Sequence, residues 1–239
     1  MVLENDADDF ISEPVNSEEF KMRIKAHLRR EFESNIDLKT KLPNNNYSKK
    51  ILKRLTKNNE HWAALLISIE NFDKYKEMYT ELASDKLIQT YCAIINSALS
   101  KEDYFGHYGD SKFLIITNPI KVEKLASFLV FAFDSVAEKF YTEEDKKRGY
   151  IILDNDEKIG RRCEFVATTI GIISSDIENF TSVEHIISSL KHIHSMAKLP
   201  SGSNYMLERQ KISTPAFRAS PPAAAVTFPR TVWKPLPMP

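Results

Sequence analysis

The sequence predicts an α/β sandwich built on a mixed sheet, and three observations carry that expectation. Residues 61–70, with Ala63-Ala64-Leu65-Leu66-Ile67 at their centre, form a continuous apolar run of strand length, as a strand covered on both faces requires. Residues 104–117 hold two short β-prone runs around Gly106, Tyr108 and Gly109, with Phe113-Leu114-Ile115-Ile116 as the return strand. Apolar residues at helical spacing occupy 84–99, 122–141 and 182–198, and supply the covering layers.

The elements follow in chain order. Ser17 is placed to cap a helix with Glu18 and Glu19 in its first turn, and Phe20, Ile24, Leu28 and Phe32 give that helix an apolar stripe ending near Asn35. Leu42-Pro43 and then Asn44, Asn45 and Asn46 break the chain before a second helix over 47–55. Lys49, Lys50, Lys53, Arg54 and Lys57 read as its solvated basic face. The 61–70 strand leads to helices over 72–79 and 84–99, the hairpin, and a strongly apolar helix over 122–141. Residues 150–153 and 162–174 read as paired strands joined by the polar turn Asp154-Asn155-Asp156-Glu157-Lys158. A last helix over 182–198 stops before Pro200 and Gly202.

Composition narrows the function classes. The 239 residues carry 33 Lys+Arg against 33 Asp+Glu, and a net charge of zero excludes nucleic-acid binding through bulk electrostatics. The longest apolar stretches, Ala63 to Ile69 and Phe128 to Phe133, fall far short of the roughly 18–20 residues of a membrane span. The acidic start lacks the basic and apolar regions of a secretory signal, so a cytoplasmic chain without membrane or nucleic-acid partners is expected. Cys92 and Cys163 read as reduced thiols, and His185, His192 and His194 as solvated or half-buried histidines without a metal. Charge segregates to the ends. Before Lys21 every charge is acidic, and after Glu208 every charge is basic. That basic tail holds seven of the 11 prolines, so it reads as disordered or PPII-like, with Phe228, Trp233 and the prolines available to a partner's groove.

A resemblance emerges from motifs taken in order: Leu42-Pro43-Asn44, Ser68-Ile69-Glu70-Asn71-Phe72, Ser84-Asp85, the run from Gly106 through Gly109-Asp110-Ser111-Lys112 to Phe113, Ile170-Gly171-Ile172 and Ala197-Lys198. Their order and spacing resemble the GGDEF family, the diguanylate cyclases of bacterial signalling, over residues 37–208. The branch with Gly-His before the signature and a Tyr-x-x-x-Asp segment, here Tyr141 to Asp145, is the most similar. The resemblance implies a nucleotide-cyclase-like α+β fold with a largely antiparallel central sheet. Upstream, Ala7 to Pro14 and the helix after it resemble the last strand and helix of a response-regulator receiver, without its phospho-accepting part and with Glu13 where a lysine is expected. The implied organisation is a receiver remnant and signalling helix over 1–36, a GGDEF domain over 37–208 and a tail over 209–239.

A member of this family joins two GTP molecules held on facing domains, using carboxylate-bound divalent ions to neutralise the phosphates. The positions that match those carboxylates are Ser68, Ser111 and Lys112, and Asp110 replaces the signature's second glycine after Gly109. A hydroxyl is a poor Mg²⁺ ligand, and a lysine puts positive charge where the ion belongs. Glu70 and Asp110 are the remaining metal candidates. Among nucleotide positions, Ile69, Asn71, Phe72, Asp85 and Lys198 are kept, whereas Lys76 stands at the guanine-reading asparagine, Asp73 at a phosphate lysine and Ser203 at an arginine. The product-inhibition motif Arg-x-x-Asp becomes Ser100 to Asp103, with the arginine lost. The resemblance therefore implies a degenerate domain that makes no cyclic di-GMP and works by contact with another signalling protein or a second copy of itself. No cofactor is expected, with Mg²⁺ entering only if nucleotide binding persists. The alternatives are residual binding of GTP or cyclic di-GMP, or an active cyclase, through Glu70, Asp85 and Lys198, and a truncated or fused chain without a function of its own.

Overall fold

The computed structural model describes residues 10–11, 13–57, 60–153 and 160–208. The receiver-like strand expected over 7–14 falls partly, and the polar turn over 154–158 and the basic tail over 209–239 wholly, outside the described residues.

Helix α1 (Ser17–Ser34) is capped one residue earlier than expected. Asn16, not Ser17, accepts the Glu18 and Glu19 N–H groups, and asparagine caps as well as serine does. No residue of α1 is buried. The chain then closes a small loop through the Ile36–Pro43 bridge and enters α2 (Asn45–Leu55), capped by Asn44. Strand β1 (Ala63–Glu70) leads to α3 (Phe72–Met78), α4 (Glu81–Ala98) and the hairpin β2 (Tyr104–Gly109) and β3 (Lys112–Thr117). After α5 (Val122–Ala137), α6 (Glu143–Arg148), β4 (Ile151–Leu153) and β5 (Arg161–Cys163) come β6 (Ala167–Ser174), α7 (Val183–Ala197) and β7 (Asn204–Leu207).

The main sheet has the order β2-β3-β1-β6-β7, antiparallel except for the parallel β6–β7 pair. Alternation along β1 feeds two cores. Ala63, Leu65, Ile67 and Ile69 pack with Leu87, Tyr91, Ile95, Leu129 and Phe133 of α4 and α5. Ala64 and Leu66 pack with Leu52 of α2 and with Ile186, Leu190 and Ile193 of α7. The expected sandwich, with its largely antiparallel sheet between helical layers, is thus present. No helix among the described residues is long and apolar enough to cross a membrane.

Three details differ from expectation. The strand foreseen over 162–174 is two strands, β5 paired only with β4, and β6 in the main sheet. The break lies at Glu164-Phe165-Val166, where the Val166 N–H donates to the Tyr141 hydroxyl (2.7 Å) and Phe165 stacks on the Tyr141 ring at 4.0 Å. The helix foreseen to 141 ends at Ala137 and tightens into a 3₁₀ turn over Glu138–Phe140. Helix α6 and edge strand β7 were not foreseen, because six charged residues in a row and a four-residue strand carry almost no periodic signal.

Helix α7 lies unusually close to the sheet at Gly171 of β6. A Cβ at that position would stand 2.5 Å from the His194 backbone nitrogen and 2.6 Å from its Cα, so only glycine allows the approach. Gly171→Ala is expected to cost about 2 kcal/mol, as overpacking against backbone does. Urea denaturation of the variant checks this, and an unchanged midpoint would refute the close-approach argument.

Candidate functional site

The alternation that places Ala64 and Leu66 under α7 continues to Ser68 and Glu70, so the polar end of β1 faces the C-terminal part of that helix. Gly171 brings His194 down to meet it. The Ser68 hydroxyl donates to Glu70 Oε1 (2.5 Å) and lies 2.7 Å from His194 Nε2, which donates to it in turn. The other Glu70 oxygen accepts from Lys198 Nζ at 2.5 Å. A continuous chain thus runs His194–Ser68–Glu70–Lys198, joining β1 to the end of α7.

Across the sheet, Ser68 is in register with Lys112 of β3. The neighbouring Ser111 hydroxyl donates to the Ile69 carbonyl (3.3 Å), and the Ile69 N–H returns a bond to the Ser111 carbonyl (3.1 Å). The signature turn itself is left-handed, with φ of 119° at Gly109 and 47° at Asp110, a conformation that aspartate tolerates better than most side chains. His107 holds this turn, its Nε2 donating to the Asp110 carbonyl (2.7 Å) while Nδ1 lies 3.0 Å from the Asp37 carboxylate. The turn from β1 into α3 keeps its expected shape, with Asn71 at φ 58° and no side chain capping α3.

These groups surround a cleft of about 670 Å³. It brings together most of the expected site: Ser68, Ile69, Glu70, Asn71, Phe72, Gly109, Asp110, Ser111, Lys112 and Lys198 all line it. Lys76 and Asp85 do not. Lys76 is exposed on α3, and Asp85 pairs with Lys39 at 3.0 Å. Ser203 turns away from the cleft, accepting from the Thr168 N–H and donating to Asp134. The inhibitory-motif residues Ser100 and Asp103 do meet, but Lys121 closes on them at 2.9 and 2.7 Å, and Thr117 also donates to Asp103.

The sequence reading missed the setting of three residues. His194 is buried within the site rather than solvated, and His185 lies 3.3 Å from Glu178, so both have carboxylates nearby that spacing along one helix cannot reveal. Lys191, one turn before Ser195 on α7, also lines the cleft.

The family's divalent ions were tested against this donor set, and the set does not fit them. Ser68 and Ser111 offer only neutral hydroxyls, which are poor ligands for a hard divalent ion, the Ile69 carbonyl already accepts from Ser111, and Glu70 is neutralised by Lys198. The described residues contain no group of three or more His, Cys, Asp or Glu arranged for a metal ion. Glu70 and Asp110, the two metal candidates, therefore stand as separate single carboxylates.

Electrostatics follow the same pairing. Burial pushes the Glu70 carboxyl up, but the Lys198 and Ser68 hydrogen bonds and the charges of Lys198 and His194 outweigh it, leaving Glu70 below its ordinary value. Burial lowers His194, Lys112 and Lys198 lower it further, and Glu70 only partly opposes them. Both shifts make the folded state bind fewer protons than the unfolded chain. Stability contributed by neutral His194 is present above the ordinary histidine value and is lost as pH falls below it, and the Glu70 contribution is lost at lower pH still. Denaturant titrations at pH 7, 6 and 5 are expected to show falling stability, with a shallower fall in His194→Gln. An identical pH slope in the variant would sink the assignment.

The comparisons with known proteins agree with this geometry. The family described as diguanylate cyclase, GGDEF domain, matches residues 34–152. No curated protein sequence matches the chain. Among solved structures, the S helix-GGDEF-EAL protein LapD of Vibrio cholerae, bound to c-di-GMP, superposes with a TM-score of 0.57 at 13% identity over 79% of this chain and 40% of that one. The coiled coil and GGDEF domain of DgcB from Caulobacter crescentus, in complex with c-di-GMP, gives 0.56 at 14% over 80% and 95%. Diguanylate cyclase SiaD from Pseudomonas aeruginosa, in complex with its activator SiaC, gives 0.54 at 13% over 79% and 68%. At such identities the likeness is one of fold, and the family match places a GGDEF domain over residues 34–152.

Proposed function

We propose that this GGDEF domain is catalytically inactive and acts by protein–protein contact in bacterial cyclic di-GMP or two-component signalling. One observation carries the reading: the positions of the metal carboxylates hold Ser68, Ser111 and Lys112, and the one carboxylate left on the strand, Glu70, is closed by Lys198. Phosphoryl chemistry on two GTP molecules needs charge neutralisation that this arrangement does not supply. The core that positions the site is meanwhile complete, which is what reuse as an interaction module requires.

In this reading residues 1–36 are a receiver remnant and signalling helix, 37–208 the GGDEF domain and 209–239 a basic tail, in a cytoplasmic protein. The helix α1 is the best contact element. Phe20, Ile24, Leu28 and Phe32 are exposed by 47, 42, 61 and 66%, and the stripe runs into an apolar groove of about 380 Å³ lined by Leu28, Phe32, Ile36, Pro43 and Tyr47. Covering each such side chain stabilises by about 1.5–3 kcal/mol. The basic flanks oppose a second copy less than their number implies, since Lys21 and Arg23 pair with Glu18 and Glu19. A second copy is the favoured cover. The open cleft supports the other reading, retained nucleotide binding without turnover or with little.

Purified chain incubated with GTP and Mg²⁺ or Mn²⁺ is expected to give no cyclic di-GMP above a protein-free control. Sustained turnover would overturn the reading. Restoring Ser68→Asp, Ser111→Asp and Lys112→Glu together is expected to leave activity far below that of an active cyclase, because Asp110, Lys76 and Ser203 remain and such groups act as one unit. A triple variant with a family-like rate would refute this. Light scattering at tens of micromolar is expected to find the full chain dimeric and Leu28→Glu monomeric. A monomeric parent chain would exclude α1 as a self-association element.

A further inference from the structure

Helix α5 buries one face in the core and leaves a second apolar face exposed. Ile120, in the turn before the helix, and Phe128 and Phe131 along it fall on one stripe of helical spacing, with Ile120 91% and Phe131 72% exposed. Together with Tyr205 of β7 they line a groove of about 570 Å³. Solitary surface apolar side chains are ordinary, but three aromatic rings and an isoleucine gathered in one groove mark a surface that gains by being covered.

The position of this groove in the fold indicates its cover. Strand β7 is the outermost strand of the main sheet, and its Leu207 packs on the core that α5 shares. The chain leaves β7 at Glu208, three residues after Tyr205, so the segment that follows begins within about 10 Å of the groove wall. That segment, residues 209–239, lies outside the described residues and carries Phe217, Phe228, Trp233 and seven of the 11 prolines. Proline-rich segments suit aromatic-lined grooves, because a PPII backbone is already extended and loses little entropy on docking. The groove's Glu123 and Lys124 contribute one charge of each sign, so it does not repel a basic segment. A second copy or a free partner must also meet the cost of association, whereas a covalent tether presents its ligand to the groove at about millimolar effective concentration.

We infer that the Pro229–Pro237 stretch of this chain, anchored by Trp233, docks within the same molecule on the groove formed by Ile120, Phe128, Phe131 and Tyr205. Trp233 supplies the large apolar side chain, and Pro235 and Pro237 the stiff flank that keeps it in place. The tail then covers the α5 face and competes with any partner that seeks it. The groove shares no residue with the cleft at the end of β1, and its occupation does not depend on whether the domain turns over GTP.

Acrylamide quenching of tryptophan fluorescence in the full chain tests this, because Trp62 and Trp233 are the two tryptophans and Trp62 is buried. The signal of a Trp233→Phe chain, subtracted from that of the parent, isolates Trp233. Phe131→Glu and Ile120→Glu, at exposed positions that leave the core intact, are each expected to raise quenching of Trp233 about threefold over the parent. Leu82→Glu, equally exposed but on α4 outside the groove, is expected to leave it unchanged. Trypsin cleavage after Arg230 is expected to accelerate in the same two groove variants and not in Leu82→Glu. Protection of Trp233 that is constant from about 1 to tens of micromolar protein supports docking within one molecule. Protection that grows with protein concentration places the segment on a second copy and overturns the inference, as does a Trp233 fully open to acrylamide in the parent or protected equally in both groove variants.

Discussion

The central strand β1 is buried on both faces from Ala63 to Ile69, and this constraint organises the molecule. Every side chain of such a strand must find cover, and every polar atom on it must find a partner without relying on water. The apolar part satisfies the requirement through two cores, one under α4 and α5 and the other under α2 and α7. The polar end cannot. Ser68 is 3% exposed and Glu70 is half-buried, so their partners have to come from the element above them, and Gly171 exists in β6 to let that element descend. His194 and Lys198 are thereby part of the same solution as the core, not additions to it.

This changes what the site demands of a ligand. A carboxylate at position 68, tucked beneath α7, would be costly to bury without a cation and would bind one for that reason. Serine at the same place is satisfied by one donor and one acceptor that the fold already supplies. The Ile69 carbonyl is likewise closed by Ser111, so the signature hairpin and the central strand are fastened to each other in the free protein. A site completed by its own side chains gains little stability from an ion, whereas a site with unpaired buried carboxylates would gain much. What remains open is the cleft outside this network, where Lys112 and Lys191 are exposed.

Much of the fold was legible because the signals involved are periodic and local. The apolar run of β1, the Phe113–Ile116 return strand and the long apolar helices α4, α5 and α7 need only composition and spacing to be read. The order of short motifs then supplied the family and the cleft-lining residues. What was not legible depends on contacts between distant segments. The Tyr141 hydroxyl that stops the strand before Ala167 lies 25 residues from its partner, and nothing around Val166 announces it. Strand β7 is too short to alternate visibly and is held by its parallel pairing to β6. His194 reads from the sequence as a solvated or half-buried histidine, and only the sheet places Ser68 beneath it, 126 positions earlier in the chain.

The acids that match the family's pattern show why retention of a residue and retention of its role must be separated. Asp85 and Asp103 occupy positions where the resemblance assigns an acid to guanine or inhibitor binding, and Glu70 is a candidate ligand for a displaced metal. Each is instead engaged by a lysine of this chain: Lys39 at 3.0 Å, Lys121 at 2.7 Å and Lys198 at 2.5 Å. These pairs are not equal in weight. Asp85 and Lys39 meet at the surface, where such a pair contributes little and a competing ligand displaces it easily. Asp103 is different, since its carboxylate is 3% exposed and accepts from Ser100, Thr117 and Lys121 together, and removing Lys121 would leave a buried charge short of a donor. Glu70 is intermediate in burial but sits in a chain of four groups, so its pairing fixes the positions of Ser68 and His194 as well as its own. Asp103 and Glu70 are thus held within the fold by lysines of this chain, a structural role that the sequence pattern alone does not display.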